Sequence, residues 1–161
     1  PGLYRLSKKL CNGTPCKNIT VKNCTIQGAR GNFANFAGAG NEAKYRKARN
    51  YHSNITIENC NVTGISAEAI ALFNTKSATV KNAASQPKHQ KSRNSYSVGL
   101  AVAYQKGSAP KATTKNVISL TNNTVKATAG YFVRSNASKK LGTVIVSGNT
   151  VSAKKGKKNA N

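Results

Sequence analysis

Residues 54 to 64 read NITIENCNVTG, and residues 18 to 28 read NITVKNCTIQG. A phrase of eleven residues written twice in one chain marks a repeat architecture. Aligned on its opening, the phrase returns as ITVKNCTI (19–26), ITIENCNV (55–62), ATVKNAAS (78–85), ISLTNNTV (118–125) and VIVSGNTV (144–151). The starts are 36, 23, 40 and 26 residues apart. The two short spacings agree, and the two long ones fit the same unit with roughly a dozen residues inserted.

Each copy alternates apolar and polar residues over its first four positions, which is the period of a strand. Ile19, Ile55, Ala78, Ile118 and Val144 share a face with Val21, Ile57, Val80, Leu120 and Val146. The Thr, Lys and Ser residues between them face out. A strand this short cannot bury an apolar face alone, but equal strands stacked about 4.8 Å apart can. A second apolar segment follows in most units, at 69–73, 98–103 and 130–133, with a weaker counterpart at 32–36. Gly and β-branched residues break any 3.6-residue period, so helices are not expected.

A rung of roughly 22 to 25 residues with the pattern x-Ile-Thr-Val-x-Asn-x-x-Ile, followed by Ala69-Ile70-Ala71-Leu72, resembles the right-handed parallel β-helix repeat of the pectate-lyase-like superfamily. The resemblance spans about residues 17 to 153. It implies an all-β chain, a right-handed parallel β-helix (solenoid) of about five rungs with two long basic loop insertions. Residues 1–16 would be a lead-in or cap, and 154–161 a basic tail. The likeness is specific for fold and nearly silent on activity. That superfamily holds lyases, hydrolases, epimerases, phage tailspikes and surface proteins. Five rungs leave open coil ends, so the chain is expected to belong to a longer solenoid or to stack on a partner. It opens on Pro1 with no signal peptide, and so reads as a processed product or an excised piece.

Stacking turns the alignment into columns. Asn23, Asn59, Asn82 and Asn122 form one that ends at Gly148. An asparagine ladder is expected there, with side chains facing inward and bonding each other and the backbone. Seven Asn-x-Ser/Thr sequons occur, at Asn12, Asn18, Asn23, Asn54, Asn61, Asn122 and Asn136. The repeat itself writes most of them, and those in the ladder would be inaccessible to glycosylation. Cys24 and Cys60 share the next column, either as a disulfide or as a ladder of small residues. Cys11 and Cys16 flank a short Gly-Pro loop and are expected to pair in an oxidising compartment. With no C-x-x-C motif and only two His, a zinc site is not expected. Thr20, Thr56, Thr79 and Ser119 form an outward hydroxyl column. Ile145 interrupts it, so it reads as ordinary exposed strand Thr rather than an ice-binding array.

The chain carries 26 Lys+Arg against three acids (Glu42, Glu58 and Glu68), a formal charge of +23, and no Asp. Such a charge calls for a polyanion or counterions: nucleic acid, acidic polysaccharide or an anionic surface. Basic residues interleaved with Tyr concentrate in two insertions, 29–52 and 86–115. The candidate ligand-binding set is Arg30, Lys44, Tyr45, Arg46, Lys47, Arg49 and Tyr51 in the first, with Lys88, Lys91 and Arg93 in the second. Arg forks and Tyr faces suit uronates, sulfates and sugar rings. His52 and His89 also fall in these insertions. Lys154, Lys155, Lys157 and Lys158 read as a solvated tail.

A paired-carboxylate mechanism needs two neighbouring acids, and calcium-dependent lyases of this fold hold the metal with several. Three scattered Glu supply neither, so a catalytic reading requires carboxylates where this chain writes Asn. No cofactor motif appears, and no apolar run is long enough to span a membrane. The expectation is a secreted or cell-surface module binding acidic polysaccharide or another polyanion. The alternatives are a polysaccharide lyase or hydrolase, and a protomer of a filament or tailspike-like homo-oligomer stacked through its coil ends.

Overall fold

The computed structural model describes residues 15–28, 33–36, 51–64, 69–73, 75–86, 99–103, 110, 113–127 and 143–153. Regular structure among them is all β, without a helix. The strands form three parallel sheets. The first holds β1 (Lys17–Lys22), β4 (Ser53–Glu58), β7 (Ala78–Lys81), β10 (Val117–Thr121) and β12 (Thr143–Ser147), in that spatial order. The second holds β2 (Thr25–Gln27), β5 (Asn61–Thr63), β8 (Ala84–Gln86), β11 (Thr124–Ala127) and β13 (Thr150–Ala153), again ordered by sequence. The third holds β3 (Ala34–Asn35), β6 (Ile70–Phe73) and β9 (Leu100–Ala103). The fourth apolar segment, 130–133, lies outside the described residues.

Register matches the alignment residue for residue. Ile19, Ile55, Ala78, Ile118 and Val144 stand in one column, and Val21, Ile57, Val80, Leu120 and Val146 in another. Ile57, Val80 and Leu120 are fully buried. They share one cluster with Ile55, Ile118 and Val125, and with Ile70, Leu72, Leu100 and Val102 of the third sheet. Repetition of the apolar pair at equal positions thus builds one core shared by all three sheets. Burial fades toward the last rung, where Val146 is 39% exposed.

One backbone device ends each strand of the first sheet. Asn23, Asn59, Asn82 and Asn122 adopt φ of 55°, 53°, 52° and 54°, and Gly148 adopts 63°. Asn tolerates this left-handed conformation and Gly adopts it freely, so a single residue turns the chain toward the second sheet. The four Asn are exposed, which corrects the expected inward ladder. The reason is local: in this turn the left-handed residue points out and its successor points into the core. The interior column is therefore Cys24, Cys60, Ala83, Asn123 and Asn149. The outer ladder does exist. Asn59 Nδ2 donates to Asn23 Oδ1 at 3.2 Å, and Asn82 Nδ2 to Asn59 Oδ1 at 3.2 Å. A second ladder opens the first-sheet strands, where Asn54 Nδ2 donates to Asn18 Oδ1 at 2.8 Å and both residues have positive φ.

Two substitutions separate backbone from ladder. Asn59→Gly keeps the left-handed turn and loses the exposed ladder bonds, for an expected loss of about 1 kcal/mol. Asn59→Ala adds the left-handed penalty of an alanine, for about 2 to 3 kcal/mol in all. Urea unfolding should therefore rank alanine below glycine; equal midpoints would show that the turn conformation is not what the asparagine supplies.

Candidate functional site

Of the ten candidate ligand-binding residues, Tyr51 alone lies among the described residues, half-buried just before β4. Arg30, Lys44, Tyr45, Arg46, Lys47, Arg49, Lys88, Lys91 and Arg93 lie outside them. What the structure does show is the charge of the frame that carries them. The described residues hold six lysines, Lys17, Lys22, Lys76, Lys81, Lys115 and Lys126, and no arginine. The other twenty of the 26 basic residues lie outside the described residues.

The chain path says where those segments attach. Residues 29–32 join β2 to the third sheet, and 87–98 run from β8 toward β9. Residues 37–50 leave β3 for β4, and 104–112 leave β9 for β10. Both basic insertions are thus tethered at the two borders of the third sheet. In that sheet Ile70, Ala71 and Leu72 are consecutive and all buried, so both faces of β6 are covered.

Glu58, the one acid among the described residues, is committed to the frame. Its carboxylate bridges Lys22 Nζ at 2.9 Å and Lys81 Nζ at 2.8 Å, one ammonium from the rung on either side. Register dictates this, because Lys22, Glu58 and Lys81 are column neighbours. The hydrogen bonds from Lys81 and then Lys22 hold the Glu58 carboxyl below its ordinary range. A carboxyl whose folded pKa is depressed stabilises the fold above its unfolded pKa, and loses that contribution as pH falls through the folded value. Glu58→Gln should therefore narrow the gap in melting temperature between neutral pH and the acid side of the glutamate range. Salt should shrink the same gap, since the pair is at the surface.

His52, expected in a basic binding insertion, is instead a buried structural residue. Its Nδ1 accepts the Cys16 backbone N–H at 2.9 Å, and its ring meets Phe36 edge-on with centroids 6.0 Å apart. His52 forms an isolated bridge to Thr75, which extends the rung beyond the named strands. Sequence reasoning missed this role because His beside Arg and Tyr looks like ligand chemistry. Its place directly before the Ser53–Glu58 strand was the available signal.

Cys16, Cys24 and Cys60 are free thiols, so neither the Cys11–Cys16 nor the Cys24–Cys60 bridge is formed in the structure; Cys11 itself lies outside the described residues. Cys24 Sγ donates to Lys22 O at 3.2 Å, and Cys60 Sγ to Glu58 O at 3.3 Å. Equal rungs give the two thiols equal backbone partners, so they stack side by side. Burial pushes the Cys60 thiol up, and the neighbouring Cys24 thiol adds to the shift.

Sequence reasoning also missed the inner asparagines. Asn123 is 1% exposed. Its Oδ1 accepts Ala83 N–H at 2.9 Å, and its Nδ2 donates to Val80 O at 2.9 Å and Asn149 Oδ1 at 3.0 Å. Asn149 Oδ1 also accepts Asn123 N–H at 2.8 Å, and Asn149 Nδ2 reaches Leu120 O at 2.7 Å. These groups are architectural, since every polar atom points along the stack. Among the described residues no group of three His, Cys, Asp or Glu is placed to hold a metal ion, and no helix is long and apolar enough to cross a membrane. No protein-family model matches the chain, and no curated protein or solved structure matches it either.

Proposed function

We propose that the chain is a secreted or cell-surface module, coiled as a right-handed parallel β-helix of about five rungs, that binds acidic polysaccharide through its basic insertions. In-register parallel sheets, each taking its strands in sequence order, support the coil.

One observation carries the binding reading: eleven of the 26 basic residues fall, together with four Tyr, in the two insertions 29–52 and 86–115. The described residues hold six lysines and Glu58, whose single charge offsets one of the two lysines it bridges. A net charge placed for solubility alone would be spread over the outward strand positions too. Those positions hold mostly Thr, Ser, Asn and Gln. Acidic polysaccharide offers spaced carboxylates or sulfates on rings, which Arg forks and Tyr faces meet together.

Retention on heparin and on polygalacturonate resins tests this. Binding should be tight near 0.1 M salt and lost well before about 1 M, because paired surface charges are screened over that range. Replacing Lys44, Arg46, Lys47 and Arg49 with Gln should weaken it at least about tenfold, roughly 1.4 kcal/mol. Unchanged retention after neutralising both insertions would remove the reading. Release of unsaturated sugars from polygalacturonate would replace it with a lyase.

A further inference from the structure

Independently of any polyanion, the two ends of the strand stack are unlike and complementary. Between neighbouring rungs the turn bonds run in a fixed direction. Asn23, Asn59, Asn82 and Asn122 each donate a backbone N–H to the next rung, reaching Glu58, Lys81, Thr121 and Ser147 carbonyls. Asn61, Ala84, Thr124 and Thr150 each donate back to the previous rung, reaching Cys24, Cys60, Ala83 and Asn123 carbonyls. At the last rung the series stops: Gly148 N–H and Asn149 C=O find no such partner among the described residues. At the first rung the missing counterparts are Lys22 C=O and Thr25 N–H. Lys22 C=O already accepts the Cys24 thiol, but Glu58 C=O accepts both the Cys60 thiol and Asn23 N–H, so one carbonyl serves two donors here.

The apolar columns are cut at the same place. Ile145 and Val146 are the exposed large apolar side chains among the described residues, at 47% and 39%, and both lie on the outermost strand β12. Val146 heads a column whose inner members Ile57, Val80 and Leu120 are fully buried.

We infer that the open edge formed by β12, the Gly148–Asn149 turn and β13 receives β1 and β2 of a second copy of the chain, head to tail. Gly148 N–H then meets Lys22 C=O, and Thr25 N–H meets Asn149 C=O. Val144, Val146 and Val151 cover Ile19, Val21 and Ile26, so the three apolar columns continue. A two-fold, tail-to-tail contact would pair β12 antiparallel with itself and leave these turn bonds unmatched. Head-to-tail contacts do not close, so the product is a growing filament. The charge of +23 on each copy opposes it, and salt releases it.

Sedimentation velocity of the full chain tests this, from about 10 µM to several hundred µM, at roughly 0.15 M and 1 M salt. The sedimentation coefficient should climb with concentration, and more steeply at high salt. Val146→Lys blocks one end and Thr25→Pro removes the donor at the other, so each variant alone should stay monomeric. Their mixture should form dimers that grow no further, because each has one competent end. Circular dichroism melts establish that both variants fold; if Thr25→Pro does not, Val21→Lys replaces it. Wild-type protein that stays monomeric at high salt, Val146→Lys protein that associates like wild type, or an end-blocked Thr25→Pro variant that dimerises alone would each overturn the inference.

Discussion

Asn123→Ala should lower stability by about 3 kcal/mol, a loss suited to a core residue rather than to a turn asparagine. The substitution strands one buried backbone group, Ala83 N–H, and takes one donor from Val80 C=O, which also lies in the paired register of β7 with β10. An unsatisfied buried group carries a penalty of about 1 to 3 kcal/mol, and this adds to the bonds lost at Val80 and Asn149. Asn122→Ala, one residue earlier, removes an exposed side chain and should show mainly the left-handed backbone penalty, about 1 to 2 kcal/mol. The comparison is made by urea unfolding with the slope held constant. If Asn122→Ala proves the more damaging, the assignment of outward and inward turn residues is reversed.

The second large effect concerns one column read at two heights. Ile57 is 0% exposed and flanked by Val21 and Val80, so Ile57→Ala removes buried methyl groups and leaves a cavity, for about 3 to 4 kcal/mol. Val146 stands in the same column but is 39% exposed with a neighbour on one side, so Val146→Ala should cost under about 1 kcal/mol. In a chain of this length the larger loss corresponds to a fall in melting temperature of roughly 10 °C. Similar losses at the two sites would mean that the last rung is covered in solution. That result in dilute protein would point to a cover from within the chain, and in concentrated protein to a second copy.

The strands of the first sheet were legible because five copies of one phrase had to superpose, and superposition sets register without any knowledge of loops. Period-2 alternation then placed Ile19 over Ile55 and Val21 over Ile57, as found. The same reasoning failed one residue later. Alternation stops at Asn23, and the side on which an asparagine points depends on φ, which a one-dimensional pattern does not carry. The successor column did hold a signal, since Cys24, Cys60 and Ala83 are small and suit an interior. Asn123 and Asn149 masked it by placing amides in that column. Glu58 reads in the sequence as one of three scattered acids, and its bridge to Lys22 and Lys81 follows only from the register of three strands. The basic insertions were legible only as composition, because Arg, Lys and Tyr in a connection declare an affinity without declaring an arrangement.

In-register stacking also has an electrical corollary. Whatever charge one rung presents at a strand position faces its equivalent about 4.8 Å away on both sides, so a run of identical charges along a column is self-repelling. The column of Lys22, Glu58 and Lys81 obeys by alternating sign and then passes to the neutral Thr121 and Ser147. A chain so poor in acids cannot repeat that solution elsewhere. On the described strands its other lysines, Lys17 and Lys126, stand instead against the neutral Ser53 and Ser152 of the neighbouring strand.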